Sequence, residues 1–63
     1  MGKLTLKAAR ISAGLSQQEL ADKMGISRSL VYSWERRPET IKPAYLYAVL
    51  YITGFKADDI ILT

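Results

Sequence analysis

Sixty-three residues make a small chain. With no cysteine there are no disulfides, and with no histidine only carboxylates remain as metal ligands, so neither a metal nor a cofactor is expected. Nine Lys/Arg against six Asp/Glu give a net charge of +3 and a pI near 9.5, a weak pointer to an anionic partner. No apolar run approaches the ~20 residues of a membrane span, and without a secretory leader or cysteines the chain is expected in a reducing cytoplasm.

Thr5 is a candidate N-cap for a first helix, in which Leu6, Ala9, Arg10 and Ala13 recur at helical spacing until Gly14 stops it. Ser16 caps a second helix, and Glu19 three residues later completes a capping box. Leu20, Ala21 and Met24 form its inner face. Gly25 closes it, because a left-handed residue there needs no Cβ. Ser27 caps a third helix running to about Arg36, with Leu30, Val31 and Trp34 inward. Pro38 ends it by removing a donor and pushing Arg37 out of the α region.

Pro43 suits the first turn of a fourth helix, with Leu46, Val49 and Leu50 inward, ending at Thr53-Gly54. The alternation Tyr45, Tyr47, Val49, Tyr51 would also suit a strand, but a lone strand finds no partner in so short a chain. A last helical turn or two is expected from Ala57 to Leu62, with Asp58 and Asp59 in its first turn. The whole of 1–63 therefore reads as one all-α domain of five helices and no strand.

Two short helices joined across Gly25-Ile26-Ser27, the second with hydroxyls, a tyrosine and arginines on its outer face, describe a helix-turn-helix suited to the DNA major groove. Arg28, Arg36, Arg37 and Lys42 cluster around that unit, and Lys3, Lys7 and Arg10 form a second basic group. Arg10 shares a face with Leu6 and Ala13, while Glu35 follows Val31 by four residues, so both charges turn toward the apolar side. They either snorkel separately to water or meet as a partly buried ion pair.

Gly14-Leu15-Ser16-Gln17-Gln18-Glu19-Leu20-Ala21, Gly25-Ile26-Ser27-Arg28-Ser29 and Trp34-Glu35 together resemble the lambdoid phage repressor and Cro family, also called the XRE family. The likeness covers nearly the whole chain and implies a compact repressor-like fold, bacterial or phage-encoded. It also implies the Arg10–Glu35 pair, which makes Arg10 structural. Lys56 stands where the family carries a Ser or similar cap, Thr53 where it carries Leu, and the tyrosines of the fourth helix where it carries smaller or charged residues. These departures fall in the C-terminal packing and the dimer contacts.

The expected DNA contacts sort by chemistry. Gln17 and Gln18 open the second helix, whose amides would meet a phosphate; the resemblance gives Gln17 this role and a reach to a base edge. Ser27, Arg28 and Ser29 begin the third helix, with arginine matched to the O6/N7 pair of guanine. Tyr32 and Ser33 follow one turn later, Tyr32 either on a thymine methyl or sugar or as a surface aromatic. Arg36, Arg37 and Lys42 suit phosphates.

The leading reading is a regulator that binds double-stranded DNA sequence-specifically, most simply a repressor blocking a promoter. The alternative is an interaction module, such as a DNA-binding antitoxin or a docking protein. An enzyme is not expected: acid–base or nucleophilic catalysis needs positioned groups in a pocket, and the chain has no His or Cys. One helix-turn-helix holds few base contacts, so a weak homodimer, strengthened on a palindromic operator, is expected. Its contacts are expected from Tyr51, Phe55, Ile60, Ile61 and Leu62, the apolar surplus at the C-terminus.

Overall fold

The capping signals operate locally in the computed structural model, which describes residues 3–62. Helix α1, Leu6–Ser12, starts at Thr5, whose Oγ1 accepts from the Ala8 amide at 3.1 Å. Helix α2, Gln17–Met24, starts with a reciprocal box. The Glu19 amide donates to Ser16 Oγ at 3.0 Å, and the Ser16 amide donates to Glu19 Oε1 at 2.8 Å. Helix α3, Arg28–Arg36, starts at Ser27, whose Oγ accepts from the Leu30 amide at 3.3 Å. Each cap satisfies a backbone donor that the helix leaves open, worth about 1 kcal/mol.

Between α2 and α3 the chain turns at Gly25, at φ 69°, a region that a Cβ makes costly. The Ile26 amide then returns to the Ala21 carbonyl at 3.0 Å, which satisfies the end of α2 and sends α3 off at once. Ala21 and Ala9 are wholly buried; their small side chains let helices cross closely. Val31 and Trp34 of α3 complete the centre with Leu6 and Leu20.

After α3 the chain makes a 3-10 turn, Pro38–Thr40. It drops Ile41 into the core. Helix α4, Pro43–Thr53, then begins with Pro43 in its first turn and ends at Gly54. Val49 and Leu50 are buried, and Leu46 packs against the core. The tyrosines of α4 part company. Tyr45 lies on Trp34, ring centroids 5.2 Å apart, whereas Tyr47 and Tyr51 face outward, 66% and 90% exposed. Thr53, which stands where the resembled family carries Leu, donates its hydroxyl to the Val49 carbonyl at 2.8 Å.

The expected fifth helix does not form. Ala57–Asp59 is a single 3-10 turn, and Ile60 is extended and pairs as an isolated parallel bridge with Leu4. The Leu4 amide donates to the Asp59 carbonyl, and the Ile61 amide donates to the Leu4 carbonyl, both at 2.7 Å. Lys56 has no acceptor to cap a helix, and so short a segment repays nucleation poorly. Backbone pairing with the chain start satisfies the same groups. One consequence corrects the expected dimer contacts: extended residues alternate faces, and Ile60 turns into the core at 6% exposure. Phe55 and Leu62 also pack against that core. The described residues thus hold four α-helices, and none is long and apolar enough to cross a membrane.

Candidate nucleic-acid interface

Helix α3 presents its inner face to the core through Leu30, Val31 and Trp34, which leaves Arg28, Ser29, Tyr32, Ser33 and Arg36 exposed. Their spacing, two adjacent residues repeated four positions on, is one face of a helix. The start of α2 flanks that face. Gln17, Arg28, Ser29, Tyr32 and Ser33 line a hollow of about 310 Å³, and Tyr32, Ser33, Arg36 and Arg37 line an adjoining one of about 230 Å³. No carboxylate lines either hollow.

The one acid on α3, Glu35, is turned inward. Its Oε2 accepts from Arg10 Nε at 2.6 Å and its Oε1 from Arg10 Nη2 at 3.1 Å, with the two side chains 9% and 6% exposed. Arg10 Nη1 also donates to the Leu15 carbonyl at 2.8 Å. This bidentate pair ties α1 to α3 and leaves no buried side-chain polar atom without a partner among the described residues. Because the pair is neutral, the chain's net charge of +3 resides on its other groups.

Glu35 has a further partner that the sequence reading missed. Gln17 Nε2 donates to Glu35 Oε1 at 3.0 Å, and Gln17 Oε1 accepts from Arg28 Nε at 3.3 Å. Gln17 thus stands between the buried pair and the exposed arginine. No local signal marks this, since the partners lie eighteen and eleven positions away.

Gln18 is exposed, with Nε2 donating along the helix to Asp22 Oδ1 at 2.8 Å, so part of its donor capacity is already used. Ser27 spends its oxygen on the cap of α3. Ser33 Oγ donates back to the Ser29 carbonyl at 3.0 Å, which leaves its lone pairs outward. Arg36 Nη1 donates to the Tyr32 hydroxyl at 3.3 Å, and its guanidinium carbon lies 5.8 Å from the Tyr32 ring centroid. The Tyr32 hydroxyl holds the Arg36 guanidinium above its ordinary pKa. Arg37 follows α3 as its C-cap, exposed, and Lys42 precedes α4, exposed but lining neither hollow.

Chemically, the face offers guanidinium donors, hydroxyls of either sense and one aromatic ring beside the amides that open α2. Such a surface can grip an anionic backbone and meet base edges. It holds no group of three or more acids that could bind a metal, among the described residues. A family model described as Helix-turn-helix matches residues 6–59. No curated protein and no solved structure matches the chain.

Proposed function

The chain belongs to the XRE type of the helix-turn-helix family, a family of DNA-binding transcription regulators and not of enzymes, and on that premise we propose that it is a repressor of the phage type. Helix α3 enters the major groove of an operator and the bound protein occludes a promoter. The observation that carries this reading is the unbroken cationic and hydroxylic face from Gln17 to Arg37, from which the only acid of α3 has been withdrawn into a pair with Arg10.

The roles follow from position. Gln17 and Gln18 bring the start of α2 to a phosphate. Arg28 and Ser29 meet base edges, Tyr32 and Ser33 the next step of the groove, and Ser27, Arg36, Arg37 and Lys42 the flanking backbone. Two copies on a palindrome, with centres roughly 34 Å apart, supply the contacts that one copy lacks. With Ile60 in the core, the surface left for pairing is the outer side of α4 at Tyr47 and Tyr51, with Ile61 beside the chain start. Those same exposed tyrosines support a second reading, docking onto a partner protein as an antitoxin does.

Selection from a random duplex pool tests the proposal. An enriched inverted repeat, bound by two chains in sedimentation and released by salt, is the expected outcome. Tyr51→Lys should reduce cooperativity on that site without unfolding the chain. A pool that stays random through successive rounds would overturn the repressor reading and leave docking as the role of the fold.

A further inference from the structure

The buried carboxylate of Glu35 is joined to the exposed guanidinium of Arg28 by a single amide, and every member of that connection has a fixed hydrogen-bonding sense. A carboxylate oxygen only accepts, and a guanidinium only donates. The Gln17 amide between them can satisfy both in one orientation alone, Nε2 toward Glu35 at 3.0 Å and Oε1 toward Arg28 at 3.3 Å. Flipped, it would set oxygen against oxygen on one side and N–H against N–H on the other. Glu35 itself cannot turn away, because Arg10 holds both its oxygens inside the fold.

We propose that Glu35, acting through Gln17, positions Arg28 for end-on recognition of guanine. Gln17 occupies the Nε–H of Arg28 and so removes the side-on mode that uses Nε with one terminal nitrogen. The two terminal nitrogens remain, a parallel pair of donors matched to the O6 and N7 acceptors of guanine. Adenine offers a donor at N6 in place of O6 and meets the same fork with an N–H facing an N–H. Gln17 and Glu35 are therefore positioning residues for specificity, beyond any phosphate contact of Gln17 and beyond the tie between α1 and α3. The inference rests on the DNA-reading role of α3 proposed above.

The test uses Gln17→Met, which keeps length and leaves the Arg10–Glu35 pair in place. Its readout is a ratio, the affinity for the selected duplex over that for duplexes changed at the base pair whose preference disappears in Arg28→Ala. A lost phosphate contact lowers both affinities and cancels. Gln17→Met should lower the ratio roughly tenfold, the order of one hydrogen bond to a charged group, with the melting temperature retained. In an Arg28→Ala background it should change the ratio no further. A wild-type ratio in Gln17→Met would overturn the proposal, and so would Arg28→Ala that leaves every base preference intact, although DNA binding would then still stand. Nitrogen-15 relaxation of Arg28 Nε in the free protein separates this failure from failure of the repressor reading. The relay requires an ordered Nε in the wild type that becomes mobile in Gln17→Met; a mobile Nε in the wild type refutes it whatever the chain binds.

Discussion

Glu35→Leu should be among the most damaging single changes in this chain, and a second change should repair it. Removing the carboxylate takes away both its bonds to Arg10, at 2.6 and 3.1 Å, and leaves the guanidinium with the Leu15 carbonyl as its remaining acceptor. With the two side chains only 9% and 6% exposed, water cannot easily replace what is lost. Stranding a charge in such a site costs about 3–5 kcal/mol. At ~0.05–0.15 kcal/mol per residue a chain of this size holds roughly 3–9 kcal/mol in all, so the variant should lie near the edge of folding. Arg10→Met strands the carboxylate instead, with Gln17 as its remaining donor, and should cost a similar amount. Arg10→Met with Glu35→Leu removes both charges and both desolvation penalties, and should recover most of the loss, since a buried pair adds little over an apolar substitute. Thermal and urea unfolding of the four proteins gives the coupling directly, at roughly 4–8 °C per kcal/mol for a chain this short. Additive losses would mean that Arg10 and Glu35 do not act as a unit.

Arg28→Ala should cost about 1–3 kcal/mol on the selected operator and relax preference at one base pair; equal losses on specific and random duplexes would reduce Arg28 to a phosphate contact. Arg36→Ala and Lys42→Ala should weaken binding evenly across sequences and flatten the salt dependence by roughly one unit of slope each, and an unchanged slope would place them in solvent. The Ser16 amide and then the Ser16 hydroxyl hold the Glu19 carboxyl below its ordinary value of 4.5. A depressed folded pKa means that this stabilisation is present above that value and fades as pH falls through the lowered one. The melting difference between wild type and Glu19→Gln should therefore close on acidification, and a constant difference through the acid range would exclude a contribution from the charge of the Glu19 carboxylate to the cap.

The parts of the fold legible in the sequence are those decided within four or five residues. Thr5, Ser16 with Glu19, Ser27, Gly25 and Pro43 each act on backbone groups one turn away, so their residue types state their roles. The segment after Gly54 was not legible, because its conformation depends on Leu4 at the other end of the chain. Two adjacent isoleucines suit a helix or an extended run equally, and only the bridge to Leu4 determines that Ile60 is core and not surface. The site divides the same way. The outer face of α3 follows from helical period and caps; the apolar-facing positions of Arg10 and Glu35 leave snorkelling or pairing open, the family resemblance implies the pair, and the structure shows it. The third member of that cluster was hidden: Gln17 reads as a helix-start glutamine, and nothing near it in the chain announces Glu35 or Arg28. The tyrosines of α4 show the limit of composition, since Tyr45 stacks on Trp34 and Tyr51 stands in water on the same helix.

Whether the outer face of α3 meets DNA, as proposed, is read from nuclear magnetic resonance of the labelled chain titrated with its selected duplex. The largest changes should fall on the amides of Gln17 and Gln18, on Arg28, Ser29, Tyr32 and Ser33, and on the guanidinium groups of Arg36 and Arg37, with α1 little affected. Changes confined to Tyr47, Tyr51 and Ile61, with α3 silent at saturating duplex, would contradict it.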